Sequence, residues 1–262
     1  MNNADALKKF ELFDSHFHII DERYPLIANN GYLPDGFNCQ NYLTAMASYR
    51  LIGGAVVSGS FQAFDQTYLI AALKDLGENF VGVTQLPNDV SDREILELHK
   101  ARVRAARFNI RRGGSLDLSH LSSFAARVYE LAGWHVELYI DSSTLVDIYS
   151  TLITLPAVSI DHLGLSQQGL ACLLSLAEQG VRVKATGFSR VDFAVEPALK
   201  DLHSANPHAL MFGTDMPSTR APRAYAVEDF ILVADTLGET AAQQVFSLNA
   251  QSFYKLKAVA AA

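Results

Sequence analysis

The strongest constraint on this chain is a rhythm. Short apolar or alternating runs recur eight times, at residues 12–18, 54–59, 80–84, 105–110, 135–140, 157–161, 181–186 and 210–214. Most are followed by a stretch with helical spacing, such as Tyr68, Leu69, Ala72, Leu73 and Leu76 ahead of Gly77. The stop repeats: residues 119–131 precede Gly133, and residues 166–177 precede Gly180. Strand and helix in alternation signal repeated βα units around a parallel sheet. A doubly wound open sheet has the same rhythm, but two features favour closure: the count reaches eight, and no glycine-rich phosphate loop follows the first strand. The 262 residues also match the roughly 250 typical of such a barrel. The pattern therefore predicts an α/β fold, a (β/α)8 TIM barrel, as one domain over residues 1–262.

Composition narrows the function. Apolar residues make up 49% of the chain and charged ones 19%, enough for a large core. A formal net charge of −7 disfavours broad attraction to nucleic acid or an anionic membrane surface. Cys39 and Cys172 form no CxxC pair, so neither a disulfide framework nor a thiolate zinc site is expected. No apolar core follows Lys8 and Lys9 as in a secretory leader, and no run approaches the roughly 18 apolar residues of a membrane span. The expectation is a soluble cytoplasmic protein, monomer or homodimer, without nucleic-acid or membrane partners.

In a barrel of this kind the reacting groups stand at the carboxyl ends of the strands. The polar residues there include His16 and His18, Ser58 and Ser60, Arg107 and Asn109, Tyr139, Asp161 and His162, Lys184 and Thr186, and Asp215. His16 and His18 are two apart, hence on one face of a strand, and both imidazoles can reach the barrel mouth. An arbitrary HxH pair more often packs or hydrogen-bonds than reacts, but this one closes the first strand while His162 closes the sixth and Asp215 the eighth. Arg107, Arg112, Arg190, Arg220 and Arg223 follow or close strand ends and could fork onto substrate carboxylates. The long first connection, residues 21–41, has the length of a binding loop or lid and contributes Tyr32 as a weaker candidate.

With these positions stand longer motifs: Arg107-Phe108-Asn109, Val136-Glu137-Leu138-Tyr139, Asp161-His162-Leu163-Gly164 and Gly213-Thr214-Asp215-Met216-Pro217. In them the sequence resembles the amidohydrolase superfamily over nearly its whole length, and within it the 2-pyrone-4,6-dicarboxylate lactonase branch. The resemblance implies hydrolysis of an anionic lactone, with Asp215 as general base and His16, His18 and His162 polarising the carbonyl. It supports substrate contacts from Arg107, Tyr139, Ser60 and an arginine just after the fourth strand, a role open to both Arg111 and Arg112.

Metal-dependent relatives add a lysine or glutamate on the fourth strand and a histidine on the fifth. This sequence has Arg107, Arg111 and Arg112 near the former and Tyr139 at the latter, and fixed positive charge repels a dication. No cofactor is therefore expected. Zinc is the alternative, with His16, His18, His162 and Asp215 as ligands of a hydrolase or decarboxylase. A rival of another class is a non-catalytic barrel that binds a dicarboxylate.

Overall fold

The computed structural model describes residues 3–113 and 115–256. Eight parallel strands follow one another in chain order: β1 (Glu11–Phe17), β2 (Arg50–Val57), β3 (Phe80–Thr84), β4 (Val103–Phe108), β5 (His135–Leu138), β6 (Val158–Ile160), β7 (Arg182–Ala185) and β8 (Leu210–Phe212). This is the expected (β/α)8 barrel. The seam between β1 and β8 closes just beyond the strands, where Asp215 N donates to His16 O (2.7 Å) and His18 N to Met216 O (2.7 Å).

The ladders are shorter at their carboxyl ends than the apolar runs suggested. Every strand but β3 stops one or more residues early, although Ser58 N, Tyr139 N and Asp161 N, just past the ends of β2, β5 and β6, still donate to the neighbouring strand. His162 and Leu163 (φ 51° and 50°) and Asp215 (φ 59°) turn into the left-handed region, which is costly for residues with a β-carbon and is held there by surrounding structure. β2 begins four residues before the expected run, at Arg50. The long first connection also ends sooner, because Asn38 caps a helix over Cys39–Ala45, its side chain accepting from Asn41 N.

Two apolar layers hold the barrel. Between strands and helices lies the larger one, with Trp134, Phe212, Phe230 and Phe246 wholly buried. Inside the barrel, Phe13, Val57, Val83, Ala105 and Met211 pack on Ala250 from the last helix, Asn249–Phe253, and on Tyr254, which caps it, and together these plug the end opposite the mouth. Among the described residues no helix is long and apolar enough to cross a membrane.

At the seam the backbones leave no room for a side chain at Gly213, where an added β-carbon would lie 2.6 Å from His16 N. Gly213→Ala is therefore expected to lower stability by about 1–3 kcal/mol, the usual cost of overpacking, as read from the midpoint of urea unfolding.

Candidate active site

His16 and His18 meet Asp215 across the seam. The two rings lie 5.1 Å apart, nearly perpendicular, and His162 stands 4.9 Å from His16 on the other side. Asp215 Oδ1 is 3.6 Å from His18 Nε2 and 3.9 Å from His16 Nε2. These four residues, expected to act together, do converge, although β1 is irregular in register between Asp14 and Phe17. Asp14 fixes the crossing: it accepts from Thr214 N (2.9 Å), Thr214 Oγ1 (2.7 Å), Tyr42 Oη (3.1 Å) and His16 N (3.2 Å). Burial pushes the Asp14 carboxyl up to about 6 against the opposing pull of those donors.

Three buried cations back the cluster. Arg190 donates to Asp215 Oδ2 through Nε (2.8 Å) and reaches Thr219 O (2.9 Å). Arg107 grips Asp161 Oδ2 (2.8 and 3.1 Å) and Ser58 O (2.8 Å). Lys184 donates to Glu137 Oε2 at 2.6 Å, and Tyr254 Oη donates to Glu137 Oε1 at 2.6 Å. Burial acts to raise Asp215, but Arg190 and His162 outweigh it and hold the carboxyl well below its ordinary range. Burial and the positive charge of Lys184 hold His16 well below the usual histidine value, and His162 is lowered to about 3, chiefly by burial, so both rings are neutral at pH 7.

The saturated surroundings make the exceptions informative, since buried polar atoms are nearly always hydrogen-bonded. Within the cluster, His16 Nε2, Asp215 Oδ1, His162 Nδ1 and Asp161 Oδ1 have no hydrogen-bond partner. The first two lie 3.9 Å apart, and the neighbouring His18 and His162 line a recess of about 30 Å³ together with Ser60, Arg107, Arg112, Tyr139, Arg190 and Arg220, among others. A second cleft of about 310 Å³ lies outside it and shares Arg112, Tyr139, Arg190 and Arg220. These four residues are common to both spaces, and the inner one alone, which His18 and His162 line, is smaller than a ring-sized molecule.

The arginines expected at the mouth separate into groups. Arg112 lines both spaces and Arg111 only the outer one, which distinguishes two residues that sequence could not. Arg220 lines both and lies over the Tyr32 ring (4.4 Å), whereas Tyr32 itself lines neither space. Arg223 lines neither; both its terminal nitrogens hold Asp229 (2.9 and 2.7 Å), so the clamp expected of it is occupied by a structural ion pair. Asn29, in the long first loop, was not anticipated: its side chain accepts from Arg220 and donates to Arg112 O.

The family model described as amidohydrolase matches residues 13–256. The chain belongs to the amidohydrolase family. A 2-pyrone-4,6-dicarboxylate hydrolase of Comamonas testosteroni is 29% identical over 158 residues, 58% of this chain. The chain spans about half of that relative, 51% of its length. A Pseudomonas putida structure, named as a candidate 2-pyrone-4,6-dicarboxylic acid hydrolase, is 26% identical with a TM-score of 0.77, covering 95% of this chain and 98% of its own. The structure of a probable 2-pyrone-4,6-dicarboxylic acid hydrolase from Acinetobacter baumannii, with citric acid bound, has a TM-score of 0.80 at 20% identity, covering 93% and 99%. At that identity the likeness shows the fold.

The site brings ligand atoms of His16, His18 and Asp215 within 4.8 Å of one another, and those of His16, Asp161 and His162 likewise, so a metal ion could be held. Three cations stand beside these groups. Arg190 sits on the other oxygen of Asp215, Lys184 on the far nitrogen of His16, and Arg107 on Asp161, placing three fixed positive charges around the proposed cation. Lys184 appeared among the strand-end polar residues but no role was read for it. The signal was there: a lysine between Val183 and Ala185, in the buried part of a barrel strand, needs a buried acid, and Glu137 on β5 is that acid.

Glu137 also ties stability to pH. Burial acts to raise its pKa, but Lys184 and His135 together lower it from 4.5 to about 2. A depressed carboxyl stabilises the fold fully above its unfolded value and loses that contribution as pH falls through the folded one. Unfolding midpoints in urea should therefore drop between pH 4.5 and about 2, and Glu137→Gln, though less stable at pH 7, should show a shallower drop over the same interval.

Proposed function

We propose that the barrel hydrolyses an anionic lactone of the 2-pyrone-4,6-dicarboxylate type without a metal ion. The observation that carries this reading is the pair of unpartnered atoms, His16 Nε2 and Asp215 Oδ1, beside His18 and His162, which line one recess with Arg107, Arg112, Arg190 and Arg220. Guanidinium forks match carboxylates in geometry and charge. The names of the Comamonas testosteroni and Pseudomonas putida relatives supply the same substrate class. All of these side chains come from one chain, so the reading needs no partner subunit. A cytoplasmic setting belongs to it as well, with Cys39 and Cys172 unpaired.

In this reading Asp215 accepts a proton from a water whose oxygen bonds to the lactone carbonyl carbon. The ring C–O bond then breaks, the proton passes to the departing ring oxygen, and an open-chain acid is left. We assign His16 and His162 to the carbonyl oxygen, where hydrogen-bond donors stabilise the tetrahedral oxyanion. His18 goes with the water instead: its Nδ1 lies 2.7 Å from Val57 O, which only accepts, so a neutral ring presents a bare Nε2 beside Asp215 Oδ1. Arg190 leaves Asp215 for a substrate carboxylate, which restores basicity to the acid as substrate enters.

A zinc-dependent hydrolase or decarboxylase is the second reading, favoured by the spacing of His16, His18 and Asp215. Exhaustively chelated protein should still open 2-pyrone-4,6-dicarboxylate, followed by loss of pyrone absorbance. Activity that vanishes in chelator and returns with zinc would establish the second reading. Asp215→Asn should lower kcat by about 10²–10⁴-fold, the usual contribution of a positioned base, and a variant retaining a tenth of the rate would remove Asp215 from that role.

A further inference from the structure

Lys184 is wholly buried in the barrel, and no part of the reaction just described uses it. Its ammonium lies 2.6 Å from Glu137 Oε2, 3.4 Å from His16 Nδ1 and 4.0 Å from Asp161 Oδ1. A lysine ammonium has three hydrogens and no lone pair, so it can only donate. A neutral imidazole carries one hydrogen on one nitrogen, and the hydrogen bond at one ring nitrogen decides what the other can do.

We propose that Lys184 is a positioning residue that fixes the tautomer of His16, holding Nδ1 as acceptor so that Nε2 carries the proton and points it at the reacting centre. The competing arrangement puts the proton on Nδ1 and directs it at Asp161 Oδ1, 3.6 Å away and otherwise without a partner. That arrangement would turn an N–H toward an ammonium 3.4 Å distant, positive end against positive end. The lone pair facing Lys184 is the favourable orientation, and the third lysine hydrogen is left to lean toward Asp161.

Two consequences follow at Nε2. It becomes a hydrogen-bond donor, as an oxyanion site needs. It also has no lone pair, so it cannot ligate a cation, and the His16, His18 and Asp215 group loses a ligand that its spacing alone would grant. His18, held by the Val57 carbonyl, has the opposite tautomer. The HxH pair thus offers one donor and one acceptor to the same space. The effect on rate rests on the lactonase reading, whereas the tautomer does not.

The test is nitrogen-15 NMR of histidine-labelled protein, with the His16 ring assigned by its loss in His16→Gln. In the wild type the protonated nitrogen should be Nε2. In Lys184→Met combined with Glu137→Gln, which removes both members of the ion pair, the proton should move to Nδ1. Zinc should then bind at least tenfold more tightly, measured by competition with a chromophoric chelator. On the lactone, kcat should fall about 10²-fold with little change in KM. A wild-type ring protonated on Nδ1, or a variant ring unchanged from the wild type, overturns the proposal. Should the double variant fail to fold, Lys184→Gln with Glu137→Gln, an uncharged pair of similar length, is read in its place against the same two outcomes. If the tautomers are as stated and neither protein opens the lactone, the positioning role stands and the lactonase reading falls.

Discussion

Everything at the mouth of this barrel depends on the seam between its first strand and the segment after its last. Backbone bonds from Asp215 N to His16 O and from His18 N to Met216 O set the histidine pair and the acid against one another. The Asp14 carboxylate, accepting from both the amide and the hydroxyl of Thr214, locks that register. Gly213 permits it, because only a residue without a β-carbon lets the two backbones approach so closely. The closure that completes the sheet is therefore the same event that assembles the reacting groups.

Burying charge without water is costly, and around the histidines the barrel meets that cost by pairing three acids each with its own cation, while Asp14 is held by neutral donors alone. Asp161 has Arg107, Glu137 has Lys184 and Asp215 has Arg190. The pairs are not equivalent. Glu137 has three donors or partners around it, whereas Asp161 and Asp215 each keep one oxygen unmatched, and those oxygens face the histidines. A buried ion pair with one oxygen left bare is a poor device for stability and a good one for holding a proton acceptor in place.

Much of this was legible in the sequence, and physical reasons separate what was from what was not. The eight strands declared themselves because buried parallel strands must be short apolar runs, and the convergence of His16, His18, His162 and Asp215 follows once the carboxyl ends share one rim. The placement of long side chains did not follow. Arg190 and Arg223 look alike from sequence, each trailing a strand end. Yet one pairs with Asp215 in the recess and the other with Asp229 outside it, a difference set by loop geometry and by a neighbour that sequence spacing does not rank. Lys184 was visible but mute, since its meaning resides in Glu137, 47 residues earlier.

The bond from Asp14 to Thr214 joins residues 200 positions apart, and that from Tyr254 to Glu137 joins residues 117 apart. A chain emerging from the ribosome amino end first must hold its histidine pair, its arginines and most of its sheet with neither the acid they answer to nor the aromatic plug beneath them. No shorter stretch of the barrel carries a reduced version of the site. The site is complete only when the two ends of the sheet meet.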